Sequence, residues 1–402
     1  MEAVVDSLPP KTKDHQLPQE YYITKPLQPS LCHHSHPHFK LQLDLRLTNV
    51  QLELELEEEE QYFDREMASF LVEQGGDASI SALHSDIITS HILTRLDGPT
   101  LASAACTSSQ LRAFSADQTL WKDICATTWP SVSDKRVHDI ISTFPSGHRS
   151  FFSDSFPLLD HSACSSDTSS RLVIPASELI SAVDIFYKGE LVFSKVHETE
   201  TETGWILCSP FRIDLLDPKE TVPTPIRHIG ETNESLKHLE ENLTLSWIVI
   251  DPAQKRAANL SSRKPVSVTR HWLTGEVQLR FAMIMPGNRR GEFVQCGMVL
   301  TCKGSDGGKL HVREVSMQME AMEGNHLNGK ESLVILQGAI EGGKRKRESE
   351  EGGEGKARFG EFLEMKRERK ERTQRRERAL DMVCIAAGVT LFMAFWSFVL
   401  FR

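Results

Sequence analysis

The strongest constraint on this chain lies near its C-terminal end, where residues 382–401 carry no charged side chain. An α-helix rises about 1.5 Å per residue, so this segment would span roughly 30 Å, the thickness of the hydrocarbon core of a bilayer. Ten of its twenty residues are Val, Ile, Leu or Phe, and each favours membrane insertion by about 0.3–0.6 kcal/mol. The pattern predicts a single transmembrane helix. A buried core helix is disfavoured because the segment is apolar on every side.

The residues that precede this helix indicate its orientation. Residues 366–378 include eight basic and three acidic side chains, and an excess of Lys and Arg marks the cytosolic side. The first residues of the chain lack the continuous apolar core of a signal peptide. We therefore expect a single-pass membrane protein whose N-terminal bulk is cytosolic, with membrane lipid around residues 382–401. The basic run 344–347 is part of this flank or a nuclear import signal, so the nucleus is the alternative location.

Composition and motifs argue against catalysis. The formal net charge is −10 and is unevenly spread, and the eight cysteines form no CxxC pair, so neither a zinc ribbon nor a disulfide framework is indicated. Phosphate-loop, dinucleotide-binding, GxSxG and HExxH motifs are absent from the sequence. We expect a chain that is not an enzyme, has no cofactor or metal site and does not bind nucleic acid. The histidine tract 33–38 is more typical of a solvated disordered segment than of a metal site.

Composition also divides the chain into regions. The N-terminal part is rich in proline and acidic residues and predicts disorder, and Met67 is an alternative start that the sequence leaves open. The predicted regions are a disordered segment (1–78), a helical unit (79–130), a linker with a Ser-rich loop (131–183), a β-rich region (184–340), a charged juxtamembrane segment (341–381) and the transmembrane helix (382–401).

The β-rich region contains segments with strand-like composition that are separated by turn glycines. Their number and spacing predict an antiparallel sandwich or barrel-like domain, and the whole chain is therefore placed in the α+β class. Trp205, Trp247 and Trp272 are expected to be core residues, with sugar stacking as the alternative. The predicted strands are 184–196, 203–216, 243–251, 277–286, 292–302, 309–320 and 331–339.

The segment 80–130 has the most specific pattern. Ser85 or Asp86 can cap a helix that runs to Leu96, with an apolar stripe along one side. Pro99 suits the first turn of a second helix, and two more short helices follow. Helices this short bury little apolar surface among themselves, so the remaining surface is a candidate interface. The alternative is an ordinary helical subdomain packed on the strand region.

This segment resembles an F-box, and the layout of the chain is similar to a group of plant F-box proteins with a C-terminal transmembrane helix. The family usually has proline after the leading leucine, where this chain has His84. Loss of that proline is expected to weaken partner binding without removing the helices. The matching residues are Leu83, Asp86, Ile87, Ile88, Ile92, Leu93, Leu96, Leu101, Cys106, Leu111, Leu120, Trp121, Ile124 and Cys125.

The resemblance implies a binding function. F-box segments dock on the Skp-family adaptor and, through it, on the cullin and RING subunits of an SCF ubiquitin ligase. The chain would recruit an unknown protein substrate through residues 184–340 and perform no chemistry itself. Trp121 and Cys125 are also candidates for the internal core of the F-box. The expected adaptor-binding residues are Leu83, Ile87, Ile88, Leu93, Leu96, Leu101, Cys106 and Trp121.

Two alternatives lack a ligase role. The stretch 243–262 distantly resembles the phloem-lectin-like module of some plant F-box proteins, which would suit a membrane-anchored lectin-like or scaffold protein. The alternating leucines in 41–47 and 52–56 resemble the LxLxL repression motif of plant transcriptional regulators, which would suit a nuclear repressor.

Overall fold

The computed structural model describes residues 83–160, 177–227, 233–288, 291–304, 308–346 and 353–402. The predicted disordered segment, the histidine tract and both LxLxL stretches lie outside the described residues, and so does most of the Ser-rich loop.

Short helices follow one another from Leu83 to Phe156, and we call this part the helical layer. Its first helical segment has an α-helical turn at Ser85–Ile87, a π-helix at Ile88–Ile92 and a 3-10 turn at Leu93–Arg95. The remaining helices are α1 (Gly98–Thr107), α2 (Ser109–Phe114), α3 (Gln118–Thr128), a 3-10 helix (Pro130–Ser133), α4 (Lys135–Ser142) and α5 (Gly147–Ser155).

Side-chain caps explain where these helices begin. The Asp97 carboxylate accepts the Thr100 N–H at 2.9 Å before α1, where Pro99 occupies the first turn as predicted. Ser108 caps α2 in the same way. The first segment differs from the prediction, because its cap is His84 and not Ser85 or Asp86.

Two large antiparallel sheets and one two-stranded sheet, β1–β12, follow. One of the large sheets is four-stranded, in the order β3–β2–β6–β7, and the other contains β4–β11–β10–β9–β8 with β5 also paired to β11. In the described part of the chain neither sheet closes into a barrel. The strands are β1 (Leu158–Asp160), β2 (Glu178–Tyr187), β3 (Glu190–Glu200), β4 (Arg212–Asp214), β5 (Val222–Arg227), β6 (Leu243–Asp251), β7 (Arg256–Asn259), β8 (Ser267–Arg270), β9 (Val277–Pro286), β10 (Phe293–Gly304), β11 (Lys309–Ala321) and β12 (Lys344–Lys346), which pairs with β1.

The two central strands of the four-stranded sheet, β2 and β6, are buried on both faces. Successive side chains of a strand point to opposite faces, and β6 shows this well. Leu245 and Trp247 belong to the core shared with the six-stranded sheet, whereas Ile248 and Ile250 belong to the core shared with the helical layer. The α+β class is confirmed, and the helical layer packs directly on the β-rich half.

Three predicted strands are wrong. Residues 184–196 do not form one strand, because they contain the end of β2, a turn at Lys188 and Gly189, and the first part of β3. Residues 331–339 lie in a helix, Gly329–Gly342, which follows the capping side chain of Asn328. The apolar run at 333–336 suits a buried strand and a buried helix equally by periodicity, and Leu333, Leu336 and Ile340 are buried at helical spacing. In the predicted strand 203–216, a short helix occupies Gly204–Cys208 and only Arg212–Asp214 is strand. A third helix in this half covers Asn233–Asn242.

The last helix, Glu354–Leu400, is continuous. Its first part is docked on the six-stranded sheet, where Phe362 is fully buried against Ile284 and Met322. Ion pairs join Lys366 to Glu320 and Arg369 to Glu323. Every residue from 370 to 402 is exposed.

Candidate adaptor-docking surface

The helical layer separates the eight expected adaptor-binding residues into three groups. Leu83, Ile87 and Leu96 are half-buried, and Cys106 is exposed on α1. The other four are buried in the core that the helical layer shares with the four-stranded sheet: Ile88, Leu93, Leu101 and Trp121.

A π-helical turn creates this division in the first segment. The Leu93 N–H bonds to the Ile88 carbonyl, a spacing of five residues. The buried Ile88 and Leu93 are therefore five residues apart, and so are the partly exposed Ile87 and Ile92. The predicted single stripe at four-residue spacing becomes two stripes, one fully buried in the core and one at its edge that is only partly buried.

The partly buried stripe comprises Leu83, Ile87, Ile92 and Leu96, and we call it the docking edge. Three of these side chains, all except Ile87, pack partly against the core of the helical layer. Leu111 and Phe114 on α2 are also only partly buried. They were not among the expected site residues, although the apolar spacing of that helix is visible in the sequence.

His84 occupies the position at which the family usually has proline. Its Nδ1 accepts the backbone N–H of Asp86 at 3.3 Å and lies 3.5 Å from the Asp86 carboxylate. Both side chains are exposed. The imidazole thus stabilises the entry to the first helical segment through a cap, where proline would do so by restricting the backbone.

Aromatic packing fixes the core beneath the docking edge. The Trp121 indole N–H donates to the Ser115 carbonyl at 2.7 Å, and its ring centroid lies 5.3 Å from that of Phe152. Phe152 also passes so close to Gly98 that a Cβ there would lie 2.1 Å from the ring. The start of α1 therefore requires glycine because an aromatic ring of α5 fills that space.

A buried carboxylate joins the helical layer to the sheet. Asp184 on β2 accepts the backbone N–H of Ser131 at 2.9 Å and the hydroxyl of Ser194 at 2.7 Å. The Ser131 hydroxyl also donates to it. Burial raises the pKa of Asp184, and the hydrogen bonds from Ser131 and Ser194 oppose that shift. This network fixes the 3-10 helix after α3 on the sheet.

A second polar junction lies at the end of α5. The Arg256 guanidinium pairs with Asp154 at 2.7 and 3.1 Å. Arg345 donates to the backbone carbonyls of Asp154, Ala257 and Ile340. Burial lowers the pKa of Arg345, although Asp154 opposes the effect. The helical layer is therefore built into the β-rich half and is not an appended module.

Comparison with known proteins identifies the family. A family model for the F-box-like domain matches residues 86–127, from the first helical segment almost to the end of α3. F-box protein At2g27310 of Arabidopsis thaliana is 48% identical over 333 residues, which cover 81% of this chain and 97% of that protein. The chain belongs to the plant F-box protein family.

Other relatives agree. F-box protein At3g44326 is 46% identical over 81% of this chain, and Probable F-box protein At2g36090 is 47% identical over 80%, both from Arabidopsis thaliana. The matches cover 92% and 94% of these proteins. No solved structure matches this F-box protein.

The F-box and these relatives support an SCF substrate-adaptor role, in which a Skp1-family adaptor links the chain to the cullin complex. F-box proteins are in general non-catalytic.

The remaining site predictions have separate outcomes. Trp247 is buried in the sheet core as expected, but Trp205 and Trp272 are 81% and 88% exposed, so the prediction that they are core residues is wrong. Among the residues that the structure describes, no group of three or more His, Cys, Asp or Glu side chains could hold a metal ion.

Proposed function

We propose that this F-box protein recruits an SCF ligase to protein substrates at the cytosolic face of a membrane. The observation that carries the proposal is the docking edge, an apolar stripe left partly exposed on a helical layer whose inner face is already covered. The F-box match at 86–127 indicates the class of partner.

The contact residues within the F-box follow from burial. We propose that Leu83, Ile87, Leu96 and Cys106 touch the adaptor. The four buried residues then have a structural role, because they hold the helices that present those side chains. They are Ile88, Leu93, Leu101 and Trp121.

Direct binding of a purified Skp1-family adaptor tests the proposal. Leu96→Asp would place a charge on the docking edge and is expected to weaken binding by about tenfold or more, because loss of a hot-spot contact near the centre of an interface costs about 2 kcal/mol or more and about 1.4 kcal/mol is tenfold. Leu191→Asp is the matched control, since Leu191 is an exposed leucine on β3. Equal binding by wild type and Leu96→Asp would contradict the assigned surface.

The membrane tether is the second part of the proposal. The final helix has a segment of mean hydropathy 2.2 that is not buried against the rest of the protein, and this supports a membrane span by length and composition. Twelve residues lie between Arg369 and Met382, which places the two about 20 Å apart along the helix. The sheet contacts of the helix would therefore hold the protein close to the membrane on its basic, cytosolic side.

Membrane fractionation tests the tether. Leu391→Arg combined with Phe392→Arg should release the protein from membranes, because each arginine costs about 2.5–3.5 kcal/mol at the centre of a span. Leu363→Arg, in the same helix but outside the apolar segment, should not. Recovery of the wild-type chain in the soluble fraction would contradict the tether.

We assign the tasks by region: substrate selection to residues 184–340, and the juxtamembrane connection to 341–381. Residues 131–160, inside the region expected to be a linker, contain two α-helices of the helical layer and the short strand β1. One observation favours a lectin-like alternative, namely the exposed Trp272 ring next to His271. Failure of the adaptor to bind, with the helical layer folded, would favour that alternative.

A further inference from the structure

A cavity opens between the last helix of the F-box and the helices that follow it. Its volume is about 310 Å³, at the small end of the range for ligand sites. The lining comes from α3, the 3-10 helix, α4 and α5. The residues are Lys122, Ala126, Val132, Ser133, Lys135, His138 and His148.

The lining is electropositive. It contains two lysines and two histidines, and no carboxylate is among the lining residues. The nearby acids have other contacts: Asp134 caps α4 by accepting the N–H groups of Arg136 and Val137, and Asp139 lies 3.7 Å from His138 Nδ1. An anionic group would therefore meet Lys122 and Lys135 without a competing carboxylate from the lining.

His148 gives independent evidence for a ligand. Its side chain is 5% exposed, and its Nε2 has no hydrogen-bond partner in the described part of the chain. Burial, with the charges of His138 and Lys122, lowers its pKa to about 4. A buried ring nitrogen without a partner is unfavourable. Because Nε2 is closed to solvent in this structure, a polar ligand atom in the cavity would pair with it after a rotation of the imidazole ring.

The rest of the lining is apolar. Ala126 and Val132 contribute only carbon side chains, and the lysine stems add methylene groups. We propose that this cavity binds a small molecule that joins an apolar body to one anionic group, a carboxylate or a phosphate. The anionic group contacts Lys122 and Lys135, and a polar atom of the ligand pairs with His148 Nε2.

The position of the cavity gives the ligand a role. Lys122 and Ala126 belong to α3, the last helix of the F-box, whereas Lys135 and His148 belong to helices that fix this region on the sheet. A ligand that contacts all four binds the folded helical layer and not the unfolded chain. It therefore stabilises the base of the F-box by mass action.

Thermal unfolding of the full chain in detergent micelles tests the proposal. The probes are phenyl phosphate and phenylacetate, which distinguish the two anionic groups, with benzyl alcohol as the neutral control. We expect at least one anionic probe to raise the unfolding midpoint in a saturable manner at millimolar concentration and the neutral probe to leave it unchanged.

Variants locate the effect. Lys122→Gln combined with Lys135→Gln should weaken binding of the anionic probe by about tenfold. Lys188→Gln combined with Lys219→Gln is the matched control from other parts of the fold and should bind as wild type does. Ala126→Leu fills the cavity and should abolish the shift, and its midpoint without probe reports whether it folds.

Three results would overturn the proposal. They are the absence of a saturable shift with either anionic probe, an equal shift with benzyl alcohol, or equal weakening in the cavity and control lysine variants. None of these results bears on adaptor binding at the docking edge, which is measured separately.

Discussion

The two faces of the four-stranded sheet pack against different parts of the protein. One face meets the six-stranded sheet, and the side chains between them form a core of alternating strand residues such as Val183 and Trp247. The other face meets the helical layer, where Ile180 and Ile248 pack beneath the F-box. On the β side, the outer face of the six-stranded sheet is covered in part by the final helix, through Phe362 on Ile284 and Met322, whereas the helical layer retains an apolar docking edge.

This difference shows how a small binding module becomes stable without its partner. An isolated group of short helices buries too little surface to be stable alone. Here the sheet covers the inner face of the F-box, so the outer face can remain partly exposed. The predictions below test that division between an inner structural face and an outer binding face, from the largest expected effect to the smallest.

Removing the central ring of the helical layer should have the largest effect. Trp121→Ala deletes a buried indole and its hydrogen bond to the Ser115 carbonyl, and it should lower the free energy of unfolding by about 3–5 kcal/mol. Urea denaturation followed by circular dichroism measures this. A change as small as that of Trp272→Ala, at an exposed tryptophan, would show that the inner face contributes little.

Breaking the junction at Asp184 should come next. Asp184→Ala leaves the buried Ser131 hydroxyl and N–H without their partner, and it should cost about 1–3 kcal/mol. Asp214→Ala, on an exposed strand position, serves as the control in the same denaturation assay. If both variants unfold at the same urea concentration, the junction is not what holds the helical layer on the sheet.

His148 should make the stability of the helical layer sensitive to acid. Its pKa is lowered from 6.5 to about 4 in the folded state, so the unfolded chain takes up a proton first as the pH falls. Stability from this residue is present above pH 6.5 and is lost between that value and about 4. Stability curves of His148→Gln should be flatter in this window than those of wild type, and His326→Gln, at an exposed position, should behave as wild type. Parallel curves for all three proteins would contradict the assignment.

A surface ion pair across the same boundary should matter least. Arg136 on α4 lies 2.6 Å from Glu178 and 2.9 Å from Glu198, with its side chain about half exposed. Arg136→Ala should lower the free energy of unfolding by less than about 1 kcal/mol, because exposed ion pairs are screened by water. A loss comparable to that of Asp184→Ala would mean that surface charge, and not the buried network, joins the two layers.

Parts of this fold can be predicted from the sequence because local signals and tertiary contacts agree. The strands 243–251 and 277–286 coincide with the observed β6 and β9, and Pro99 lies in the first turn of α1 as its restricted backbone requires. The helix at Gly329–Gly342 was missed because a continuous apolar run carries no period, and only the cap at Asn328 reveals its start.

The candidate site shows a different limit. The first helical segment has four apolar residues close together: Ile87, Ile88, Ile92 and Leu93. A spacing of four residues predicts that Ile88 and Ile92 share one face, whereas in the structure Ile88 is buried and Ile92 is only partly buried. The π-helical turn that assigns Ile88 and Leu93 to the core has no simple sequence signal. For the same reason, Leu93 is a poor choice for a docking-edge variant, since its substitution would disturb the core.

Hydrogen–deuterium exchange with and without a purified Skp1-family adaptor tests the division between inner and outer faces most directly. The adaptor should slow exchange at backbone amides from Leu83 to Leu96, while amides of β6, beneath the helical layer, remain unchanged. Unchanged exchange along the docking edge in a saturated complex, or protection confined to the β-rich half, would contradict the account.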